Sequence, residues 1–350
     1  MKGRLVAALL MICSAVAMAN DFKSVTIADK SGSMQMTVTN FGARIQTLKA
    51  YGQDVVLGFD TLSHYQEYKQ NFGAVVGRYI GRIVGARFTL DGTEYVLQGA
   101  DKGKDCSHGG TPGFSQQFWT ITSVADDAVA LRFISKDGEN GFPGELTLDV
   151  TYTLSGDALR IDYHATTTKP TVLNPSNHSF FNLSTNLGGD ILHELLWIDA
   201  DSIAEYNDKK QVTGMMLSVG ETPFDFHTPV SIGKRIDDAD RQLMVTKGYD
   251  HCYLLNTGGD ITKPAARLTD PYTNLEMEVY TTEPAMQIYT ANGHNGSLVG
   301  KGGTPYPRRN AICFETMHLP DSPNNPQWPS TVLRPGEEFQ STTIYKFICR

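Results

Sequence analysis

The sequence lacks several features that would assign a function directly. Its 350 residues carry a formal net charge of −8 and contain no cluster of Lys and Arg suited to a phosphate backbone, so nucleic acid is not expected as a partner. The five cysteines form no CxxC pair and no Cys/His spacing typical of zinc, so no metal site is expected. A P-loop, a GxGxxG turn after a strand, an HExxH helix and a GxSxG elbow are also absent, which excludes the chemistries that these motifs carry.

Long apolar runs are equally scarce, and the one that is present lies at the start of the chain. Residues 6–16 are almost wholly apolar, they follow two basic residues, and residues 17–19 (Ala-Met-Ala) supply a cleavage pattern typical of a secretory signal peptide. The run is too short for a membrane span, and no second one follows. We therefore expect residues 1–19 to be removed near Ala19 and the mature protein, beginning at Asn20, to be periplasmic or secreted.

Helical periodicity is weak, whereas strand patterns recur along the chain. Residues 146–154 alternate strictly and are followed, after a Ser-Gly-Asp turn, by residues 158–164, which predicts a β-hairpin. Helical patterns are confined to residues 63–70 and 236–242. Many short strands separated by Gly, Pro and Asn predict a sandwich or barrel. Because no linker interrupts residues 20–350, we expect a single domain there. Further strand candidates are residues 33–39, 128–134, 195–200, 275–281, 286–290, 311–315 and 342–348.

The most unusual stretch is residues 174–183, which read Asn-Pro-Ser-Asn-His-Ser-Phe-Phe-Asn-Leu. It surrounds one histidine with short hydrogen-bonding side chains, and such a histidine is suited to proton transfer near neutral pH. The composition also fits a polar turn whose Asn and Ser side chains bond their own backbone. Residues elsewhere must therefore decide whether His178 is a functional group.

Other candidate polar groups lie far from this stretch in the sequence. Glu315 follows an apolar run, and a carboxylate at the end of a buried strand is costly unless it is paired or used. Burial there would raise its pKa toward a value useful for a general base. Arg78 and Arg82 lie among regularly spaced glycines and are either solvated or able to reach a ligand oxygen. Two long loops, residues 98–118 and 292–309, are candidate binding segments.

Six motifs, taken in order over nearly all of the chain after residue 19, resemble those of the aldose 1-epimerase (galactose mutarotase) family. Each motif alone is short, but their common order makes the resemblance specific. They are Phe72-Gly73-Ala74-Val75-Val76-Gly77-Arg78 with Arg82-Ile83, Ser107-His108-Gly109-Gly110, Asn177-His178-Ser179-Phe180-Phe181-Asn182-Leu183, Tyr249-Asp250-His251, Thr281-Thr282-Glu283-Pro284 with Gln287-Ile288-Tyr289-Thr290-Ala291-Asn292, and Phe314-Glu315-Thr316 with Pro320-Asp321-Ser322-Pro323-Asn324.

The resemblance implies an all-β fold, a large antiparallel β-sandwich with few short helices. It also implies a reaction without cofactor or metal, the interconversion of the α and β anomers of a free hexose such as glucose or galactose. By the same resemblance, Glu315 is the general base for the anomeric hydroxyl and His178 is the general acid for the ring oxygen. These two side chains should face one cleft from opposite sides, about one sugar ring apart. The residues expected to bind the sugar are Arg82, His108, Asp250, Gln287 and Ser179.

The resemblance also gives the neighbours of His178 a role, since Asn and Ser side chains beside it would fix its tautomer and orientation. The chain departs from the family pattern at Gly81, where Asn is frequent, and at Phe180, where Tyr is common, and each change removes a polar group. Three cysteines lie two residues from predicted site residues, so their clustering would allow a disulfide near the site. They are Cys106, Cys252 and Cys313.

Three other functions remain open on these residues. A glycoside hydrolase would use Glu315 and Asp250 as opposed carboxylates. A sugar-phosphate epimerase would direct Arg78 and Arg82 at a phosphate, and a sugar-binding protein would not need an acid–base pair. Retention of both His178 and Glu315 favours an enzyme that acts on a free aldohexose, as a monomer or a homodimer.

Overall fold

The computed structural model describes residues 21–99 and 102–350. The predicted signal peptide, residues 1–19, therefore lies outside the described residues. Within them, no helix combines the length and the apolar character that crossing a membrane requires.

Strands dominate the regular structure, and the only α-helices within the described ranges are α1 (Leu62–Tyr68) and α2 (Arg241–Thr246). The strands are β1 (Ser24–Ala28), β2 (Met34–Thr39), β3 (Arg44–Ala50), β4 (Gln53–Asp54), β5 (Ala74–Val76), β6 (Arg82–Ile83), β7 (Arg87–Leu90), β8 (Thr93–Val96), β9 (Cys106–Ser107), β10 (Thr120–Val124), β11 (Ala128–Ser135), β12 (Leu146–Ser155), β13 (Ala158–Thr167), β14 (Thr171–Val172), β15 (Ser176–His178), β16 (Leu195–Ile198), β17 (Ser202–Tyr206), β18 (Val212–Ser218), β19 (Val230–Ser231), β20 (Asp250–Leu254), β21 (Ala266–Thr269), β22 (Leu275–Thr281), β23 (Ala285–Tyr289), β24 (Cys313–Met317), β25 (Val332–Leu333) and β26 (Phe339–Cys349).

These strands form three larger sheets and several two-stranded ones. The nine-stranded sheet has the order β10-β11-β12-β13-β26-β22-β21-β16-β19, so β26 lies at its centre. The five-stranded sheet has the order β18-β17-β20-β23-β24, and the four-stranded sheet runs from β1 to β4. The pairs within these three sheets are antiparallel.

One large hydrophobic core joins the three sheets. Every second residue of β12 is buried, as the alternation of its sequence requires. Val150 of β12 belongs to the same buried cluster as Leu48 of the four-stranded sheet and Phe314 of the five-stranded sheet. Burying such a side chain contributes roughly 1.5–3 kcal/mol. The expected all-β, antiparallel sandwich with few short helices is confirmed.

The hairpin predicted from residues 146–164 is also confirmed, because β12 and β13 pair from Ser155↔Ala158 onward. Of the two helical patterns, the first coincides with α1. The second was placed too early, since α2 begins only at Arg241. The Asp240 side chain explains this start, because it accepts hydrogen bonds from the backbone N–H of Gln242 and Leu243 and so caps the helix there.

Candidate active site

One cavity of about 270 Å³ brings together most of the predicted site residues. This size lies just below the roughly 300–1,000 Å³ of typical ligand pockets and therefore suits a small ligand. Ser179, which the structure also describes, does not line this cavity. Its hydroxyl is buried and donates to Asn177 Oδ1 at 2.6 Å, and the expected contact of Ser179 with the sugar stays a prediction. The predicted residues that do line the cavity are Arg82, His108, His178, Asp250, Gln287 and Glu315.

Three of these residues come from adjacent strands of the five-stranded sheet. Asp250 opens β20, and Gln287 of β23 is paired directly with Glu315 of β24. The Gln287 Nε2 group donates to Asp250 Oδ1 at 2.7 Å and thereby orients that carboxylate. Glu315 was expected at the end of a strand, but it lies in the middle of the fully buried β24. Because of this strand pairing, the carboxylates of Asp250 and Glu315 and the amide of Gln287 all line one cavity.

His178 reaches the cavity from a separate strand pair, in which β15 is antiparallel to β5. Its ring stacks on Phe180, with centroids 5.0 Å apart. His178 Nε2 lies 3.4 Å from Glu315 Oε1. The expected separation of about one sugar ring is therefore wrong, because β15 packs directly against β24 and brings the two side chains into contact.

Burial shifts the pKa values of this pair in opposite directions. Burial and the neighbouring carboxylate of Asp250 raise the pKa of Glu315 well above its ordinary value. Burial and the adjacent His108 lower the pKa of His178 well below its ordinary value. Burial beside Arg82 also lowers the pKa of His108 to about 4. Each shift favours the neutral form of its group, so the Glu315–His178 pair is neutral when one carboxyl proton is present.

The two arginines of the glycine-spaced stretch have different environments. Arg82 lies in β6, whose pairing with β9 brings it to the loop that carries His108, and it lines the cavity. Arg78 is buried, and its guanidinium donates to the backbone carbonyls of residues 143 and 144 at 2.7 and 2.8 Å. The interpretation that both arginines contact a ligand phosphate is therefore wrong for Arg78. Its guanidinium instead connects β5 and the residues after it to the chain at residues 143 and 144.

The polar neighbours of His178 do not contact its imidazole. Asn177 Nδ2 donates to the carbonyl of Gly73 at 2.9 Å, and Ser179 donates to Asn177. The expectation that these side chains fix the His178 tautomer is therefore wrong. His178 Nδ1 instead lies 3.5 Å from the Sγ atom of Cys313.

The disulfide that a clustering of three cysteines would allow is absent from the described residues. All four cysteines there are free, and three of them are buried. Cys106, Cys252 and Cys313 belong to three different hydrophobic clusters.

Several residues that line the cavity were not predicted from the sequence. Tyr206 lies at the end of β17, and its hydroxyl donates to Gln287 Oε1 at 3.3 Å. Only the pairing of β17 with β20 brings it there, and that pairing is not visible in the local sequence. The second long loop, residues 292–309, supplies no lining residue. The unpredicted lining residues include Gln70, Asn71, Tyr206, Lys210 and Tyr289.

Two groups of side chains within the described residues have the composition of a metal site. The first lies in the cavity and the second lies outside it. In the second group, burial and the nearby Asp270 raise the pKa of Glu194 well above its ordinary value, so a proton on Glu194 relieves the repulsion between the two carboxylates. The members are His108, His178 and Glu315 in the first group and His193, Glu194 and Asp270 in the second.

Together, the fold and the cavity define a β-sandwich with a buried carboxylate–imidazole pair in a small polar cavity, an arrangement suited to acid–base chemistry. Comparison with known proteins gives the family, because the profile described as aldose 1-epimerase matches residues 23–346. The galactose mutarotase of Bos taurus is 38% identical over 323 residues, which cover 91% of this chain and 92% of that protein. The aldose 1-epimerase of Escherichia coli K12 is 36% identical over 335 residues, which cover 93% and 95%. The chain therefore belongs to the aldose 1-epimerase family.

Solved structures agree with this assignment. An aldose epimerase homologue from C. elegans superposes with a TM-score of 0.86 at 26% identity and covers 94% of this chain and 99% of that one. A galactose 1-epimerase from Lactobacillus acidophilus gives 0.81 at 25% identity, with coverage of 94% and 98%. The resemblance drawn from six sequence motifs is confirmed, and the protein is an enzyme that acts on carbohydrates, an aldose 1-epimerase.

Proposed function

We propose that this enzyme interconverts the α and β anomers of free glucose or galactose by acid–base opening and reclosure of the sugar ring. The observation that carries the proposal is the 3.4 Å contact between His178 Nε2 and Glu315 Oε1 in a polar cavity. A sugar hydroxyl is a weak acid and a ring ether is a poor leaving group, so the reaction needs both a positioned base and a positioned acid. The names of its relatives, which include galactose mutarotases, support the choice of substrate.

In this mechanism each proton has a defined path. The single proton of the pair first moves across the 3.4 Å contact from Glu315 to His178 Nε2. Glu315, now a carboxylate, takes the proton of the anomeric hydroxyl while His178 Nε2 gives its proton to the ring oxygen, and the bond between C1 and the ring oxygen breaks. Rotation about the C1–C2 bond of the open-chain aldehyde presents the other carbonyl face, and the same groups act in reverse to close the ring. Both oxygens are attached to C1, so the base and the acid must lie close together, which the observed contact satisfies.

The remaining polar side chains of the cavity suit a neutral polyol. Asp250 accepts hydrogen bonds from sugar hydroxyls, and Gln287 keeps its carboxylate oriented through the 2.7 Å bond. Arg82 and the neutral His108 donate to the ring oxygen or to neighbouring hydroxyls. Asp250 and Glu315 project from one sheet rather than from opposite walls, which argues against a glycoside hydrolase with opposed carboxylates.

Polarimetry of freshly dissolved α-D-glucose and α-D-galactose tests this function. The enzyme should accelerate the decay to the equilibrium rotation and should form no product except the other anomer. A methyl α-glycoside, whose ring cannot open in this way, is the matched control and should show no change. Hydrolysis of an aryl glycoside, or acceleration confined to sugar phosphates, would contradict the proposal.

The pH dependence follows from the opposite pKa shifts of the catalytic pair. The pair is active while it holds one proton, and the lowered pKa of His178 means that a second proton binds only below the ordinary histidine range near 6.5. The raised pKa of Glu315 means that the last proton leaves only above the ordinary carboxyl range. We expect a bell-shaped profile of kcat/KM whose acid limb lies below about pH 6.5. Initial rates measured across the acid and neutral range check this, and an acid limb at or above that pH would refute it.

We also propose that the enzyme acts outside the cytoplasm as a monomer or homodimer that begins at Asn20. The basic start, the apolar run and the Ala-Met-Ala sequence of residues 1–19 support export. Intact-mass analysis of the protein in cell fractions should find the chain that begins at Asn20 in the periplasm or the medium. Recovery of only the full-length chain from the cytoplasm would contradict export, and light scattering would measure the oligomeric state.

A further inference from the structure

The group of potential metal ligands outside the cavity lies where β16 and β21 meet, and we call it the β16–β21 site. It consists of His193, Glu194 and Asp270. His193 and Glu194 directly precede β16, and Asp270 directly follows β21. The strands are antiparallel, with Leu195 opposite Thr269, so their pairing brings the two carboxylates together. Because the two segments lie far apart in the chain, no local sequence motif indicates this site.

The two carboxylates of the site are buried without a basic partner of fixed charge. Glu194 and Asp270 are both completely buried, whereas the His193 side chain is 27% exposed and its Nε2 lies 3.2 Å from Asp270 Oδ2. In the part of the chain that the structure describes, neither carboxylate forms an ion pair with Lys or Arg. Buried charges are strongly destabilising unless they are paired or bound to a metal ion. A proton or a cation is therefore needed to neutralise the site.

One oxygen of Glu194 is available to such a cation. The backbone N–H of Leu183 donates to Oε1 at 2.9 Å. The N–H of Ser184 also lies close to the carboxylate and favours its charged form, but it donates to Asn182 Oδ1 at 2.9 Å. Oε2 is buried and has no hydrogen-bond partner among residues 21–99 and 102–350. An unpartnered carboxylate oxygen in the interior is destabilising, and a bound cation would remove this defect.

We propose that His193, Glu194 and Asp270 bind one divalent transition-metal ion, for which Zn²⁺ is the best-suited candidate. Imidazole nitrogen and carboxylate oxygen are both zinc ligands, and three protein ligands with one water complete a tetrahedral site. Ca²⁺ and Mg²⁺ are less suitable, because they favour oxygen ligands and higher coordination numbers. The exposed part of His193 gives the ion a path from solvent. Without a cation, a proton on Glu194 would serve in its place.

The separations between the ligand atoms fit one small ion. Zinc bonds of about 2.0–2.1 Å at tetrahedral angles place neighbouring ligand atoms about 3.3–3.4 Å apart. The 3.2 Å between His193 Nε2 and Asp270 Oδ2 is close to this value, and all three ligand atoms lie within 4.8 Å of one another. Asp270 Oδ1 accepts the N–H of Tyr272 and Thr273 at 2.6 and 3.1 Å, which holds the carboxylate and leaves Oδ2 for the ion. Binding through Nε2 places the imidazole proton on Nδ1.

Calorimetric titration of the untagged enzyme with Zn²⁺ tests the site and separates it from the potential ligands in the cavity. We expect one ion to bind to each wild-type chain. Asp270→Asn keeps an oxygen acceptor for Tyr272 and Thr273 but removes a charged ligand, so it should weaken binding at least about 10-fold, the lower limit for losing even an indirect contact. Glu315→Gln removes a potential ligand from the cavity and is the matched control, which should bind Zn²⁺ as tightly as wild type.

Two outcomes of this titration would overturn the proposal. An affinity that is unchanged in Asp270→Asn but lost in Glu315→Gln would place the ion in the cavity. An absence of binding to the wild-type enzyme would leave a proton as the neutralising group. None of the three ligands lines the cavity, so the inference does not rest on the proposed function, and neither result depends on polarimetry.

Thermal unfolding supplies a second readout that needs no enzyme activity. Zn²⁺ at 100 times its Kd should raise the Tm of the wild-type enzyme by about 4 °C, and EDTA should reverse the rise. His193→Phe keeps an aromatic ring beside Tyr272, which lies 5.0 Å from the imidazole, but lacks the ligand nitrogen. This variant should fold and should show no rise. An equal rise in His193→Phe and wild type would overturn the proposal.

Discussion

Glu315→Gln should reduce anomer exchange to near the uncatalysed rate. The amide keeps the size of the carboxylate but cannot take the proton of the anomeric hydroxyl, and general base catalysis contributes typically about 10²–10⁴-fold. Because Gln can still form hydrogen bonds in the buried centre of β24, the fold should be retained. Polarimetry with α-D-glucose gives kcat and KM, and the loss should fall on kcat, with KM changed little.

Glu194→Gln is the matched control for this variant. Glu194 is also completely buried, its pKa is raised by burial and by Asp270, and its Oε1 atom accepts the N–H of Leu183 at 2.9 Å. Gln resembles the neutral form of this side chain and can keep that bond, and Glu194 does not line the cavity. We expect normal kcat for this control. Normal activity in Glu315→Gln, or equal losses in both variants, would refute the assignment of Glu315 as the base.

Arg44→Met should destabilise the folded protein by about 3–5 kcal/mol. Arg44 is completely buried, and its guanidinium donates to the carbonyls of Gln70, Phe72 and Ser115 at 2.8, 3.0 and 2.6 Å. It also lies 4.8 Å from the ring centroid of Tyr65. Met fills much of the same volume but leaves three carbonyls without a donor, and each unsatisfied buried group costs about 1–3 kcal/mol.

Denaturant titration measures this loss, and Arg87→Met is its control. Arg87 is exposed and lies 3.7 Å from Glu94, a surface ion pair worth no more than about 1 kcal/mol. A loss of stability in Arg44→Met as small as that of the control would show that the three carbonyls find other donors.

Because Gln70 lines the cavity, Arg44→Met should also raise KM for the hexose.

The fold was predictable where the sequence of a strand shows alternating apolar and polar residues. The alternation of residues 146–164 determines the hairpin of β12 and β13, and residues 275–281 coincide with β22. The start of α2 was predicted wrongly because one capping side chain, Asp240, outweighed a short apolar pattern. The order of strands within each sheet could not be predicted, since it depends on pairings between segments far apart in the chain.

The sequence motifs predicted which residues lie at the site. They did not predict the contacts between those residues. Six predicted residues line one cavity, whereas Ser179 does not line it and its hydroxyl donates to Asn177. The roles of Glu315 as base and His178 as acid stay predictions until the variants are measured. The contact between Cys313 and His178 depends on the packing of β15 against β24, and no feature of either segment alone indicates it.

The central position of β26 determines when the nine-stranded sheet can form during synthesis of the chain. This strand pairs with β13 on one side and with β22 on the other, so it joins the two halves of the nine-stranded sheet. Because β26 comprises residues 339–349, both strands that it pairs with are synthesised before it. The two halves of the nine-stranded sheet can therefore join only after residue 349 has been synthesised.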